Sequence, residues 1–153
     1  FVKSCAVMPD GQGIAVHALD GAEDAVLVFL AKGGRAVRDW AVILPEVIPQ
    51  TVQMAVNDHG LILAARRSTT FYRAGTQIWK KEVPDQGGYR PVYADREWFA
   101  AGTDRTVLFA DQRGRPLAVL PVTGSAAFRI LPSSRPMEFA VQSNKAVTFY
   151  KFR

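Results

Sequence analysis

Ser4-Cys5-Ala6-Val7-Met8-Pro9-Asp10-Gly11-Gln12-Gly13-Ile14-Ala15-Val16 reads as an apolar run, a polar turn and a second apolar run. The arrangement returns in Gln53–Ala65 around Asp58, in Arg90–Ala101 around Asp95 and in Phe128–Val141 around Ser133. The beat is roughly forty residues, the signature of an internal repeat. Each unit continues with a β-rich run: Val26–Leu30, Thr70–Tyr72, Val107–Phe109 and Val147–Tyr150. The first three units then reach a glycine turn at Gly34, Gly75 or Gly114, followed by another largely apolar run. One unit is therefore strand, turn, strand, loop, strand, glycine turn, strand.

Short runs rich in Val, Ile, Phe, Tyr and Thr and bounded by Gly, Pro, Asp and Asn are the expected β signal. Four such strands in roughly forty residues make one blade of a β-propeller. The expected fold is all-β, a propeller of four-stranded antiparallel blades over about 2–44, 51–83, 90–122 and 127–153. A helical alternative exists at Gly21–Lys32, where Asp20 offers an N-cap and Gly33 a stop. Elsewhere Pro45, Pro49, Pro84, Pro91, Pro116, Pro121, Pro132 and Pro136 break up any long helix.

Composition limits the class. The chain has 153 residues, 48% hydrophobic and 22% charged, too apolar for disorder. No apolar run approaches the ~20 residues that a membrane-spanning helix needs. A single cysteine, Cys5, excludes an intramolecular disulfide framework and a Cys-only zinc site. The net charge of +5 is modest and its cations are dispersed without stacking aromatics, so nucleic acid is not an expected partner. Ala- and Arg-rich usage suggests a bacterial source of high GC content.

The chain resembles the WD40-like and quinoprotein-like propeller repeats. The resemblance rests on the Pro9-Asp10-Gly11 turn followed by Ile14-Ala15-Val16, and on Ala74-Gly75-Thr76-Gln77-Ile78-Trp79. It covers nearly the whole chain at the level of the repeat. The Trp-Asp pair of WD40 repeats is absent where the third strand ends, where Phe71-Tyr72, Leu108-Phe109 and Phe149-Tyr150 stand. The tryptophan-docking pattern of quinoproteins is matched only around Gly75 and Trp79.

The fourth unit stops after its third strand, and only Phe1 to Lys3 precede the first inner strand. Such a layout leaves an unpaired edge, a liability for aggregation. A partial ring is therefore expected, its remaining blades supplied by the same or another chain, with a closed four-bladed ring as the alternative. Phe1 is not a methionine, and the residues after it lack the layout of a signal peptide, so a processed product or part of something longer is expected.

Loops held by a rigid scaffold carry function. In a propeller, the loops between strands two and three share one rim with the connections between blades. The candidate binding residues there are Asp20, Glu23, Asp24, Arg66, Arg67, Tyr89, Arg105 and Lys145. The opposite rim, with Lys32, Arg35, Arg73, Arg113, Arg115 and Arg135, is more basic. His17 and His59 lie at different repeat positions and lack metal-ligand spacing. Asp10, Asp58 and Asp95 recur as turn residues, which satisfy local backbone groups rather than act on a substrate. Cys5 reads as a small buried residue. Neither GxSxG nor GxGxxG occurs. Trp40, Trp79 and Trp98, with Phe29, Phe71, Phe99, Phe109, Phe139 and Phe149, read as packing between blades.

The expectation is a non-catalytic scaffold that binds protein, without catalytic residue, metal or cofactor. The rivals are an enzyme or cofactor-binding propeller with its site at the central channel, and a structural subunit of a larger assembly. The predicted inner strands carry mostly Ala, Val, Met and Ile, with Gln53 and Arg129 as polar exceptions.

Overall fold

In a computed structural model of the chain, residues 1–44, 52–65, 67–82, 91–102, 106–122, 128–133, 135, 138–144 and 146–151 are described. These residues form strands and turns, with no helix among them. The first sheet holds β1 (Val2–Val7), β2 (Gly13–Asp20), β3 (Glu23–Lys32) and β4 (Arg35–Ile43). The second holds β5 (Gln53–Asn57), β6 (Gly60–Ala64), β7 (Ser68–Arg73) and β8 (Thr76–Glu82). The third holds β9 (Val92–Ala94), β10 (Trp98–Gly102), β11 (Thr106–Asp111) and β12 (Pro116–Pro121). The fourth holds β13 (Phe128–Pro132), β14 (Glu138–Ser143) and β15 (Val147–Lys151). Within each sheet the strands run antiparallel in sequence order, so every connection is a hairpin. The segment with the helical alternative, Gly21–Lys32, is a turn and a ten-residue strand. Asp20 pairs with Glu23 across Gly21, whose φ of 69° suits the first central position of a hairpin turn.

The sheets stack face to face in chain order. Met8, Ala15, Val26 and Val28 of the first sheet meet Val56, Leu61, Leu63 and Tyr72 of the second. Ile62 and Phe71 of the second meet Ala94, Phe99 and Ala101 of the third. Trp98, Phe109 and Val107 of the third meet Ile130, Phe139 and Val141 of the fourth. The first strands β1, β5 and β9 approach one another successively, as the inner strands of neighbouring blades do.

The same register device recurs in the first three sheets. A bulge interrupts the pairing of the third and fourth strands at Val28/Phe29, at Phe71/Tyr72 and at Phe109/Ala110. Beside it, Val28 lies opposite Ala15 and Trp40, Phe71 opposite Ile62 and Trp79, and Phe109 opposite Ala100 and Ala118. Val28, Phe71 and Phe109 are all buried against the following sheet. In the fourth sheet Phe149 occupies that position, opposite Ala140, but it is 80% exposed, contrary to the expectation that it packs within the chain. Cys5, expected to be buried, is exposed on the open face of the first sheet.

Two turns fix how closely sheets approach. At Gly114 (φ 77°) an added Cβ would lie 2.3 Å from the Phe71 ring, and the Trp79 indole N–H donates to the Gly114 carbonyl. At Gly75 (φ 81°) a Cβ would lie 3.0 Å from the Ala41 carbonyl oxygen of the first sheet. Beside Gly75, Ala74 has φ 45°, the only non-glycine with positive φ among the described residues. Left-handed backbone costs an L-residue with a Cβ roughly 1–2 kcal/mol.

Ala74→Asn creates the Asn-Gly pair that this two-residue turn favours. It is expected to stabilise the chain by about 1 kcal/mol, seen as a melting temperature raised by roughly 2–4 °C. Gly114→Ala should act in the opposite direction, by about 2–4 kcal/mol, because it combines backbone strain with a clash against Phe71. Calorimetry on the two variants checks both signs.

Candidate functional site

The rim that carries the loops between second and third strands also receives the connections between sheets. Those connections are the long ones, from Ile43 to Gln53, Glu82 to Val92 and Pro121 to Phe128. At this rim the first sheet holds a buried polar cluster that its sequence did not announce. Pairing skips one residue between Val2 and Ser4, leaving Lys3 as the extra residue of a bulge. A bulge re-aims a side chain. Here the Lys3 ammonium lies 2.7 Å from both carboxylate oxygens of Asp24. His17 faces Val26 across the β2–β3 ladder, which makes Asp24 its diagonal neighbour on the same face. Its Nε2 lies 3.2 Å from Asp24 Oδ1. Asp24 and His17 side chains are fully buried and Lys3 nearly so.

A buried carboxylate needs a partner cation, and Lys3 supplies it. His17 is different. Burial away from water pushes its pKa below 6.5; the Asp24 charge opposes that, and the nearby Lys3 charge reinforces it. Its Nδ1 has no hydrogen-bond partner among the described residues. Neutral His17 with its proton on Nε2 donates to Asp24 and leaves Nδ1 a bare acceptor. The cluster is thus an ion pair braced by a neutral imidazole, tied to the next sheet by the Ser4 hydroxyl donating to the Val52 carbonyl.

The opposite rim is organised by turns. Asp10 Oδ1 accepts from the Gln12 N–H, Ser133 Oγ from the Arg135 N–H, and Asp95 Oδ1 from the Arg96 N–H. In the second repeat Asn57, rather than Asp58, does this work, accepting from His59 and Gly60 N–H. Its amide also donates to the Asp95 carbonyl at 2.7 Å, joining the turns of the second and third sheets. Asp111 accepts from the backbone N–H groups of Arg113 and Arg115 and pairs with the Arg115 guanidinium. Partial burial alone would raise its pKa; these hydrogen bonds outweigh that and hold it below the usual carboxylate value. Asp10, Asp95 and Asp111 are thus engaged in turn geometry. On the inner strand β9, burial against Trp98, helped by the Asp95 charge, pushes the Tyr93 phenol up to about 12. Tyr93 therefore stays protonated at neutral pH. Among the described residues no three His, Cys, Asp or Glu side chains gather as metal ligands.

The expected rim residues divide. Glu23 is exposed at the start of β3 and Arg67 is exposed before β7. Asp20 ends β2 beside Glu23 in the ladder. Asp24, expected on the solvent-facing rim, is instead the buried partner of Lys3, because it points to the same face of the sheet as Val26. Arg66, Tyr89, Arg105 and Lys145 lie outside the described residues. The structure thus places Glu23 beside Asp20 in one hairpin and Arg67 on the neighbouring sheet.

No family model matches the sequence, and no curated protein is similar to it. Solved structures are. The WD40 domain of SCAP from fission yeast matches 99% of this chain at a TM-score of 0.62 and 12% identity, using 42% of its own length. Hsv2 from Kluyvelomyces marxianus matches 97% at 0.53 and 4% identity, over 50% of its length. A eukaryotic initiation factor matches 98% at 0.56 and 16% identity, over 41% of its length. At these identities the likeness is one of fold. The chain has a WD40-like β-propeller fold, and it spans half or less of the length of the solved chains it matches.

The buried histidine couples stability to pH. The unfolded chain binds the His17 proton near pH 6.5, whereas the folded chain binds it only at lower pH. The unfolded state therefore holds more protons in that window, and folding stability present above pH 6.5 is lost as pH falls through it. Urea midpoints measured from pH 8 to pH 5 should decline through this window. His17→Gln, which retains a donor for Asp24, should flatten that part of the profile. Asp24→Ala is expected to cost about 3–5 kcal/mol at neutral pH, since it takes the carboxylate away from the largely buried Lys3 ammonium.

Proposed function

We propose that this chain is a binding scaffold for protein partners, acting through the rim that carries its longer connections. The observation that supports this reading most is structural asymmetry. One rim consists of tight turns in which Asp10, Asn57, Asp95 and Ser133 are spent on the turn backbone. The other receives all three long connections between sheets. Loops free to vary on a rigid frame are where propellers and other scaffolds recognise partners. The proposed contact residues are Asp20, Glu23, Arg66, Arg67, Tyr89, Arg105 and Lys145, a set of mixed charge suited to a protein surface of complementary charge pattern. Asp24 has a different part, as the buried anchor of the hairpin that presents Asp20 and Glu23.

The test is site-specific photo-crosslinking in the source cell. A photoreactive residue at Glu23 or Arg67 should yield a discrete adduct. The same residue at Arg73 or Arg113, on the opposite rim, should yield none of that mass. Glu23→Lys with Arg67→Glu should reduce the adduct at least tenfold without altering the melting temperature. Equal labelling from both rims, or an adduct indifferent to the charge reversals, overturns the proposal.

A further inference from the structure

The interface between the first and second sheets holds one group whose two protonation states ask for different structures. His17 stands in mid-ladder, opposite Ser4 on one side and Val26 on the other, and its side chain is fully buried. Asp24 Oδ1 receives both the His17 Nε2, at 3.2 Å, and the Lys3 ammonium, at 2.7 Å. Two groups able to carry positive charge thus converge on one oxygen. Among the described residues, the charges that act on His17 are Asp24 from β3 and Lys3 from β1. From the second sheet, β5 and β6 contain no titratable residue, and the Tyr72 phenol of β7 is kept neutral by burial in the same core. β4 brings Val42 to this core.

A neutral ring suits this arrangement and a charged one does not. The second proton would sit on Nδ1, which has no acceptor among the described residues. The charged ring would also place a second cation at Asp24 Oδ1, and like charges repel far more strongly away from water than at the surface. Lys3 is the member able to leave. Its ammonium rides on a flexible four-carbon stem, its side chain keeps 12% of its surface exposed, and it sits on a bulge at the rim end of β1. His17 is fixed between two ladder neighbours. With Lys3 in water, Asp24 and the charged His17 are an ion pair on their own.

We infer that Lys3 and the His17 proton are alternative counter-ions of Asp24, and that acid exchanges one for the other within the folded chain. The competition is reciprocal: whatever factor Lys3 takes from the proton affinity of His17, the proton takes from the engagement of Lys3. Burial does most to hold the His17 pKa down; Asp24 opposes it, and Lys3 adds to it. Withdrawing Lys3 therefore leaves Asp24 less opposed. The release has a defined extent. Past the bulge, the Ser4 hydroxyl is tied to the Val52 carbonyl, and Cys5, Ala6 and Val7 pair with Val16, Ala15 and Ile14, so it stops at Ser4. Before the bulge, the Leu19 N–H donates to the Phe1 carbonyl, and that bond is lost together with the Lys3 contact. Leu19 lies at the foot of the hairpin that carries Asp20 and Glu23. The switch belongs to the cluster and stands whether or not this rim binds a protein.

The test is NMR on the 153-residue chain, with the His17 ring followed through a pH titration and amide exchange compared on either side of its midpoint. Lys3→Met keeps most of the stem and removes the charge, and it should move the His17 midpoint to higher pH. In the wild-type chain below the midpoint, protection of the Leu19 amide, corrected for the intrinsic effect of pH, should fall at least roughly tenfold. The amides of the central strand β3 should keep theirs. His17→Gln should abolish the acid-dependent loss at Leu19. A His17 midpoint that stays put or falls in Lys3→Met overturns the inference. So does Leu19 protection that survives the charging of His17, or that is lost in acid from His17→Gln as well. Protection lost from Leu19 and β3 together also overturns it, because that is global unfolding and not an exchange of partners. This wild-type arm requires no variant to fold.

Discussion

The structure depends on one packing constraint: a side chain near the middle of the third strand of each sheet must find a complementary surface on the next sheet. Isolated four-stranded sheets bury only one face poorly, and stacking is what removes the rest from water. Val28, Phe71 and Phe109 meet the requirement inside the chain. The bulges beside them hold the register that aims them. A slip of one residue would turn each toward the opposite face, so register and core composition specify each other. Burying a side chain the size of Phe71 is worth roughly 1.5–3 kcal/mol, and each interface collects several.

Several polar groups admitted to this stack fasten its parts together, although the buried His17 Nδ1 and Thr69 Oγ1 find no hydrogen-bond partner among the described residues. The Asn57 amide reaches the Asp95 carbonyl, and the Trp79 indole reaches the Gly114 carbonyl, so two hydrogen bonds fasten the second sheet to the third. The Lys3–Asp24–His17 cluster does comparable work inside the first sheet, joining β1, β2 and β3 where the rim hairpin turns. A hydrophobic trio there could be at least as stable. What the ion pair adds is direction: one carboxylate fixes a bulged lysine and a histidine in a single arrangement, and thereby the hairpin that carries Asp20 and Glu23.

Much of the fold was legible because its determinants are local. The spacing of Asp10, Asp95 and Ser133 marks turns whose side chains do hydrogen-bond the following backbone. Gly34, Gly75 and Gly114 mark hairpins with positive φ. The β-branched and aromatic runs between them are the observed third strands. What escaped was the part that depends on pairing across strands. Asp24 looked like a rim acid because it follows a turn, yet ladder register places it on the buried face beside Val26. His17 looked like a strand end until that same register set it diagonal to Asp24. Lys3 carried no signal, since a bulge is a property of two strands together. Asn57 displaced Asp58 as the turn acceptor by one position, a distinction that repeat alignment cannot resolve when both residues form turns. Cys5 and Phe149 were misplaced for a common reason: both have core chemistry, and their faces lie at the two ends of the stack.

The internal repeats differ more in sequence than their shared geometry would suggest, and the interfaces show why. In the first two sheets the outer strand supplies a tryptophan opposite the central residue, Trp40 beside Val28 and Trp79 beside Phe71. In the third sheet that position is Ala118. Its lost volume reappears on the inner strands, where Tyr93 and Trp98 lie 5.2 Å apart and Trp98 packs on both Phe109 and Phe139. The bulk has moved from the outer edge toward the inner strands on the same face of the sheet. Cores tolerate such exchange when volume and patterning are retained. The stack therefore constrains how much side chain each row contains, and only weakly which strand contributes it. That freedom lets a forty-residue beat persist with little residue identity between repeats.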